Sequence, residues 1–226
     1  MVKVSAIITA AGKNSRMRKD QENLNIPLQN KLTLPLNSNK YSETIIETTI
    51  NNVLKISNID QCIIVLGHYS DEIIPHIIKI KDPRIKIVKN NPVDVGLSVS
   101  LLNGIKNTDS DIVLCVTGDQ PTVTTTTFKN ILHHILNSNN PEKTISILRR
   151  RKTGILDTAE GLGMPFAASR KSLINYLDGE NDNLNPILRR IFADGYEFYG
   201  VEEIDPLELI NINHYDEYQS LLNNKY

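Results

Sequence analysis

A chain of 226 residues, 40% hydrophobic and 23% charged, can bury a sizeable core, and we expect one globular domain over 1–226. Its formal net charge of -1 excludes the broad electrostatic attraction of a general nucleic-acid or membrane-surface binder. No stretch is apolar for long enough to span a bilayer and the start lacks a secretory pattern, so the expectation is a cytoplasmic protein.

The first predicted element is a buried strand over Lys3–Thr9, apolar and rich in β-branched residues. It runs into Ala10, Ala11 and Gly12, then into Lys13, Ser15 and Arg16. Bare backbone followed by cations suits an anionic ligand, because main-chain N–H groups can be approached and the charge neutralised. A simple turn at Gly12 explains the same letters. The polar segment Lys19–Asn30 has few core candidates and reads as a mobile loop over the site. Lys31, in NKLTLPL, either reaches back to a phosphate or is a solvated lysine.

Helical spacing of Ile45, Ile46, Thr49, Val53 and Ile56 predicts a helix over Ser42–Ile56 with Ser42 as N-cap. A strand follows at Gln61–Leu66, then a helix at Ser70–Ile80 with Pro75 in its first turn, then a strand at Ile85–Val88. Asn91–Gly104 places Gly96, Ser98 and Ser100 at a helix start, where free N–H groups and hydroxyls could read a base edge or phosphate; an ordinary capped helix would look alike. That helix continues to Lys106. The strand Asp111–Val116 ends at Gly118 and Asp119, either a Mg2+ ligand beside a triphosphate or an Asp in a turn before proline. Cys62 and Cys115 lie within strands and read as buried thiols in a reducing compartment.

A helix over Thr124–Leu136 precedes strands at Lys143–Leu148 and Met164–Ala168. Helices at Arg170–Leu177 and Asn185–Phe192, a final strand at Tyr196–Val201 and a closing helix at His214–Leu222 complete the chain. Alternating strands and helices predict an α/β layer fold with a largely parallel sheet, and a ligand at the carboxyl ends of its strands.

Five stretches in order resemble the molybdenum-cofactor nucleotidyltransferase family, closest to its molybdopterin cytidylyltransferase branch. They are AAGKNSRM with Ala10, Ala11, Gly12, Ser15 and Arg16; KLTLPL with Lys31; GLSVSLLNG with Gly96 and Ser98; VTGDQP with Gly118 and Asp119; and NINHYDEYQSLL with Asn213. The resemblance implies a three-layer, Rossmann-like fold with helices on both faces of a mostly parallel sheet. It implies a triphosphate cradle at Ala10–Gly12, with Arg16 on the departing β- and γ-phosphates and Lys31 near the α-phosphate. Asp119 with Asn213 would hold Mg2+. The implied reaction is CMP transfer from CTP to the phosphate of molybdopterin, with a molybdoenzyme or its chaperone downstream and the protein a monomer or homodimer. Guanylyl transfer, transfer to a sugar or polyol phosphate, and a non-catalytic nucleotide-binding regulator are the alternatives. The chain departs from the family outline at Gly179–Asp182, which lacks a second glycine, and at His214-Tyr215, where Thr-Pro is usual.

Overall fold

The computed structural model describes residues 2–37 and 42–223. Strands β1 (Val4–Ala10), β2 (Gln61–Leu66), β3 (Ile85–Lys89) and β4 (Ile112–Thr117) form the parallel half of an eight-stranded sheet. The other half holds β5 (Thr144–Leu148), β6 (Gly154–Ile155), β7 (Phe166–Ser169) and β8 (Glu197–Val201), giving the order β3-β2-β1-β4-β7-β5-β8-β6. Strand β7 runs antiparallel to both neighbours and β6 is an antiparallel edge on β8.

Both faces of the sheet are covered, which is why β1 is buried at every position instead of alternating with polar residues. Ala6, Ile8 and Ala10 point into one core with helices α2 (Ile45–Leu54), α3 (Ser70–Ile78), α5 (Thr125–Leu136) and α8 (Tyr215–Asn223). Ile7 points the opposite way, into a second core with α4 (Leu97–Lys106), α6 (Arg170–Leu177) and α7 (Leu184–Ala193). The expected three-layer α/β fold is present. Cys62 and Cys115 are fully buried free thiols, and burial pushes the Cys62 thiol up to about 12.

Three local expectations need correction. Lys19–Asn30 is not one loop: α1 (Ser15–Asn23) occupies its first part, burying Met17 and Gln21 on one side. With a single apolar residue on that face, the pattern offers little helical signal. The Gln21 side chain then accepts from the Gln29 N–H at 3.1 Å, folding the return segment back onto the helix. The N-cap of α2 is Thr44, not Ser42, because Glu47 stands three residues on and completes a capping box; Ser42 instead accepts from the Asn37 N–H at 3.0 Å. Pro75 lies in the second turn of α3 rather than the first, on its exposed side.

Register places the site. Thr9 pairs with Thr117, so β1 and β4 end side by side, and Ala10–Gly12 and Gly118–Asp119 leave the sheet at the same edge. The Gly118 N–H donates to the Thr9 carbonyl at 2.9 Å. A Cβ on Gly118 would lie 3.0 Å from Ile46 and 3.3 Å from the Ala10 Cβ, so a small residue lets this turn pass.

Candidate active site

A cavity of about 230 Å³ opens at that edge, lined among others by Ala10, Ala11, Gly12, Arg16, Lys31, Asp119 and Asn213. The sequence spreads these residues over almost its whole length, and the fold gathers them. Around the Gly12 Cβ position nothing lies within 4 Å, so a ligand can reach this backbone. Immediately beyond, Asn14 adopts a left-handed conformation (φ 55°) at the start of α1. Its side-chain oxygen accepts from the Lys31 N–H at 3.2 Å and its amide donates to the Gln29 carbonyl at 3.2 Å. The cradle and the Lys31 segment are thus one cross-linked unit.

Lys31 opens a short 3-10 turn, Lys31–Thr33, capped by the Asn30 side chain accepting from the Leu32 N–H. Its ammonium lies 2.5 Å from Asp119 Oδ2 and donates to Asn213 Oδ1 at 3.0 Å. Arg16, on the first turn of α1, donates to the same Asn213 oxygen at 2.9 Å. Asn213 is held by a Glu217 carboxylate that accepts from the N–H groups of both Asn213 and His214, capping α8. The other Asp119 oxygen, Oδ1, is buried and has no hydrogen-bond partner among the described residues. Hard oxygens from Asp119 and Asn213, one of them unsatisfied, form a donor set that suits a divalent cation such as Mg2+.

The remaining sequence candidates take other places. Ser15 is the exposed first residue of α1. Gly96 and Ser98 turn toward the 181–182 segment: the Gly96 N–H donates to Asn181 at 2.7 Å, and the Ser98 hydroxyl accepts from the Asp182 N–H at 2.8 Å. The part of α4 lining the cleft is Leu97 and Ser100, with Val95 ahead of it. Gly118 lies behind Asp119 as a spacer, its carbonyl accepting from Thr49. Lys13 pairs with Asp94 across the rim at 2.7 Å, which holds the Asp94 carboxyl below its usual range.

A second cavity, about 640 Å³, shares Leu97 and Thr117 with the first. Its lining includes Gln120, Arg149, Arg150, Met164 and Asn211, none of which the sequence reading singled out. Gln120 is buried and donates to the Met164 carbonyl at 3.0 Å and to Asn211 at 2.9 Å, joining the β4 turn to the strand-β7 approach and the closing segment. The run Arg149–Lys152 was the available signal, since four consecutive cations after a strand are unusual on a chain of balanced charge.

The model for a MobA-like NTP transferase domain matches residues 6–193. A nucleotidyl transferase from Methanothermobacter has a structure with TM-score 0.88, 40% identical, covering 98% of this chain and 97% of that one. Two more distant structures share the fold. The 4-diphosphocytidyl-2C-methyl-D-erythritol synthase of Anaerococcus prevotii is 17% identical over 99% and 96% of the two chains, with TM-score 0.69. A manganese complex of Rv0371C from Mycobacterium tuberculosis is 18% identical over 98% of both, with TM-score 0.62. No curated protein matches this chain. A family match over most of the sequence and a relative of this identity agree with the clustered cations and carboxylate: the chain belongs to the MobA-like NTP transferase family and is a nucleotidyltransferase.

Proposed function

We propose that the enzyme transfers CMP from CTP to the phosphate of molybdopterin, releasing pyrophosphate. The observation that carries the nucleotide half is the convergence of Arg16, Lys31, Asp119 and Asn213 on one cleft beside the open Gly12 backbone. The choice of CTP rests on the likeness of GLSVSLLNG to the cytidylyl branch, with a cytidyl group also in the name of one fold relative.

In this reading an acceptor phosphate oxygen attacks the α-phosphorus, a new P–O bond forms, and the bridge to the β-phosphate breaks. The attacking phosphate is already ionised at neutral pH, so no side-chain base is required. The chain's work is alignment and charge neutralisation. Backbone at Ala10–Gly12 binds the triphosphate, Arg16 takes the leaving phosphates, and Lys31 faces the charge that builds on the α-phosphate. Asp119 and Asn213 would hold Mg2+, which when bound would draw charge from the phosphate oxygens. The larger cavity next to Thr117 receives the acceptor.

Pyrophosphate release, measured with each of the four NTPs plus Mg2+ and molybdenum cofactor, tests this. CTP alone should give turnover; GTP turnover would move the enzyme to guanylyl transfer, and silence with every nucleotide would sink the cofactor assignment. Transfer to a polyol phosphate is the second reading, favoured by Thr117, Gln120 and Asn211 as polar groups in the cavity. Nucleotide binding without turnover on any acceptor would instead indicate a regulator.

A further inference from the structure

We infer that Arg149 and Arg150 select acceptors carrying a second anionic group besides the attacking phosphate. This rests on the reading of the larger cavity as the acceptor site. Both arginines line that cavity, at the end of β5. Their turn is a built one. The Arg149 N–H donates to the Val201 carbonyl at 2.8 Å, and the Arg151 N–H donates to Glu203 at 2.7 Å, with Arg151 in the left-handed region (φ 48°). The guanidinium groups are therefore presented by anchored backbone.

Asp157 feels the charge of Arg149 without forming a direct ion pair with it. Among the described residues neither arginine is paired with a carboxylate, although nearby acids exist and are engaged elsewhere. Asp157 pairs with Lys152 at 3.2 Å, and Glu160 pairs with Arg189 at 2.9 Å, offering Arg149 only its carbonyl at 3.4 Å. Glu208, the one acid lining this cavity among the described residues, is fully buried and accepts from the N–H groups of Thr124 and Ile204 and from the Thr127 hydroxyl. Cations left unpaired in a concave site favour an anion, and guanidinium recognises carboxylate and phosphoryl groups alike. At the junction with the nucleotide cleft, the Thr117 hydroxyl is buried without a hydrogen-bond partner among the described residues. A ligand running from Asp119 past Thr117 to Arg150 places one anion at each end and a polar group at the waist. Leu148, Leu162 and Leu184 give the body of that ligand an apolar wall.

The test is calorimetric titration of the full chain, saturated with Mg2+ and the non-hydrolysable α,β-methylene analogue of CTP. Two matched pairs of probes are compared: sn-glycerol 3-phosphate with 3-phosphoglycerate, and fructose 6-phosphate with fructose 1,6-bisphosphate. In at least one pair the doubly anionic member should bind about tenfold tighter, the worth of one charge-assisted contact. The pair showing it identifies the second anion as carboxylate or phosphoryl. In the double variant Arg149→Ala/Arg150→Ala the preference should fall to within about twofold, while affinity for the CTP analogue is unchanged. Equal affinities in the wild type, a preference that survives the double variant, or no binding of any probe would each overturn the inference. A wild type that fails to bind the CTP analogue would overturn the nucleotidyl reading itself, which keeps the two failures apart.

Discussion

The Lys31 ammonium lies 2.5 Å from the Asp119 carboxylate, with the two side chains only 14% and 13% exposed. The same ammonium donates to Asn213, which also accepts from Arg16. Two cations thus share a single amide oxygen, and the carboxylate is paired to one of them. This arrangement prepares a site for a polyanion: one positive charge is balanced by Asp119, and the other waits on Asn213. Groups positioned before the substrate arrives need no reorganisation when charge develops on it.

Replacing Asp119 by Asn keeps the shape of the side chain and removes its charge. The fold should survive, because Asp119 is held by its neighbours' backbone, the Ile212 N–H donating to its carbonyl at 3.1 Å. We expect kcat to fall roughly 100- to 1000-fold, as for loss of one preorganised electrostatic contact. Pyrophosphate release at saturating Mg2+ measures it, with far-UV circular dichroism as the control for folding. Unchanged turnover would place the cation elsewhere.

Asn14 joins the cradle to Lys31 and also occupies a left-handed backbone position. Asn14→Ala loses two hydrogen bonds and puts at a left-handed position a residue that tolerates it less well than Asn, a combined cost of about 1–3 kcal/mol. Asn14→Gly relieves the backbone term and still breaks the cross-link. Both variants should raise KM for the nucleotide, while only the Ala variant shows the larger loss of stability in urea unfolding. Recovery of KM in the Gly variant would show that the cross-link does not position Lys31.

The strands and most helices are legible in the sequence because their apolar residues repeat with clear periods and their flanks carry turn residues. Helix α1 is not, since its buried face is Met17 and Gln21 alone. Nor is β6, whose two residues are an edge strand only by pairing with β8. The grouping of Arg16, Lys31, Asp119 and Asn213 was readable by resemblance, because each sits in a short ordered motif. Gly96 and Ser98 look like ligand-facing residues only until the 181–182 segment is placed against them. Arg149 and Arg150 depend on a turn, a cavity and several distant acids, none of which adjoins them in sequence.

Gly104 lies in the last turn of α4, and within a helix Ala would ordinarily be more stable than Gly by about 1 kcal/mol. Here a Cβ would stand 2.4 Å from Ile7 Cγ2 and 2.8 Å from Val65 Cγ2, both belonging to central strands. The helix must lift away from the sheet to accept it. Gly104→Ala is therefore expected to destabilise by about 1–3 kcal/mol, the usual cost of overpacking. Because Leu97 and Ser100 on the same helix line the cleft, KM should rise as well. Urea unfolding with an unchanged or higher midpoint would show that α4 has room to spare.

Asp20 ties the helix carrying Arg16 to the segment following Asn213. Its Oδ2 accepts from the Tyr215 N–H at 3.1 Å and meets the His214 ring at 2.9 Å. The Tyr215 N–H, with the His214 ring behind it, holds the Asp20 carboxyl below its usual range. The unfolded carboxyl titrates near 3.9, so the unfolded state binds the proton first as pH falls. Asp20 therefore stabilises the fold above about pH 5, and its contribution is lost as pH drops through the lower folded value. The titratable groups nearby are Lys19 on α1, and His214 and Asp216 at the start of α8. Asp20→Ala should lower Tm relative to the wild type at pH 7, with the gap closing as pH falls below about 4. Because Arg16 rides on the same helix, the variant should also raise KM for the nucleotide at pH 7 while leaving kcat largely unaltered. Thermal melts of both proteins between pH 7 and the acid limit of folding measure the gap. A difference that stays constant across that range would mean Asp20 acts through packing, and that its charge does not hold α1 against α8.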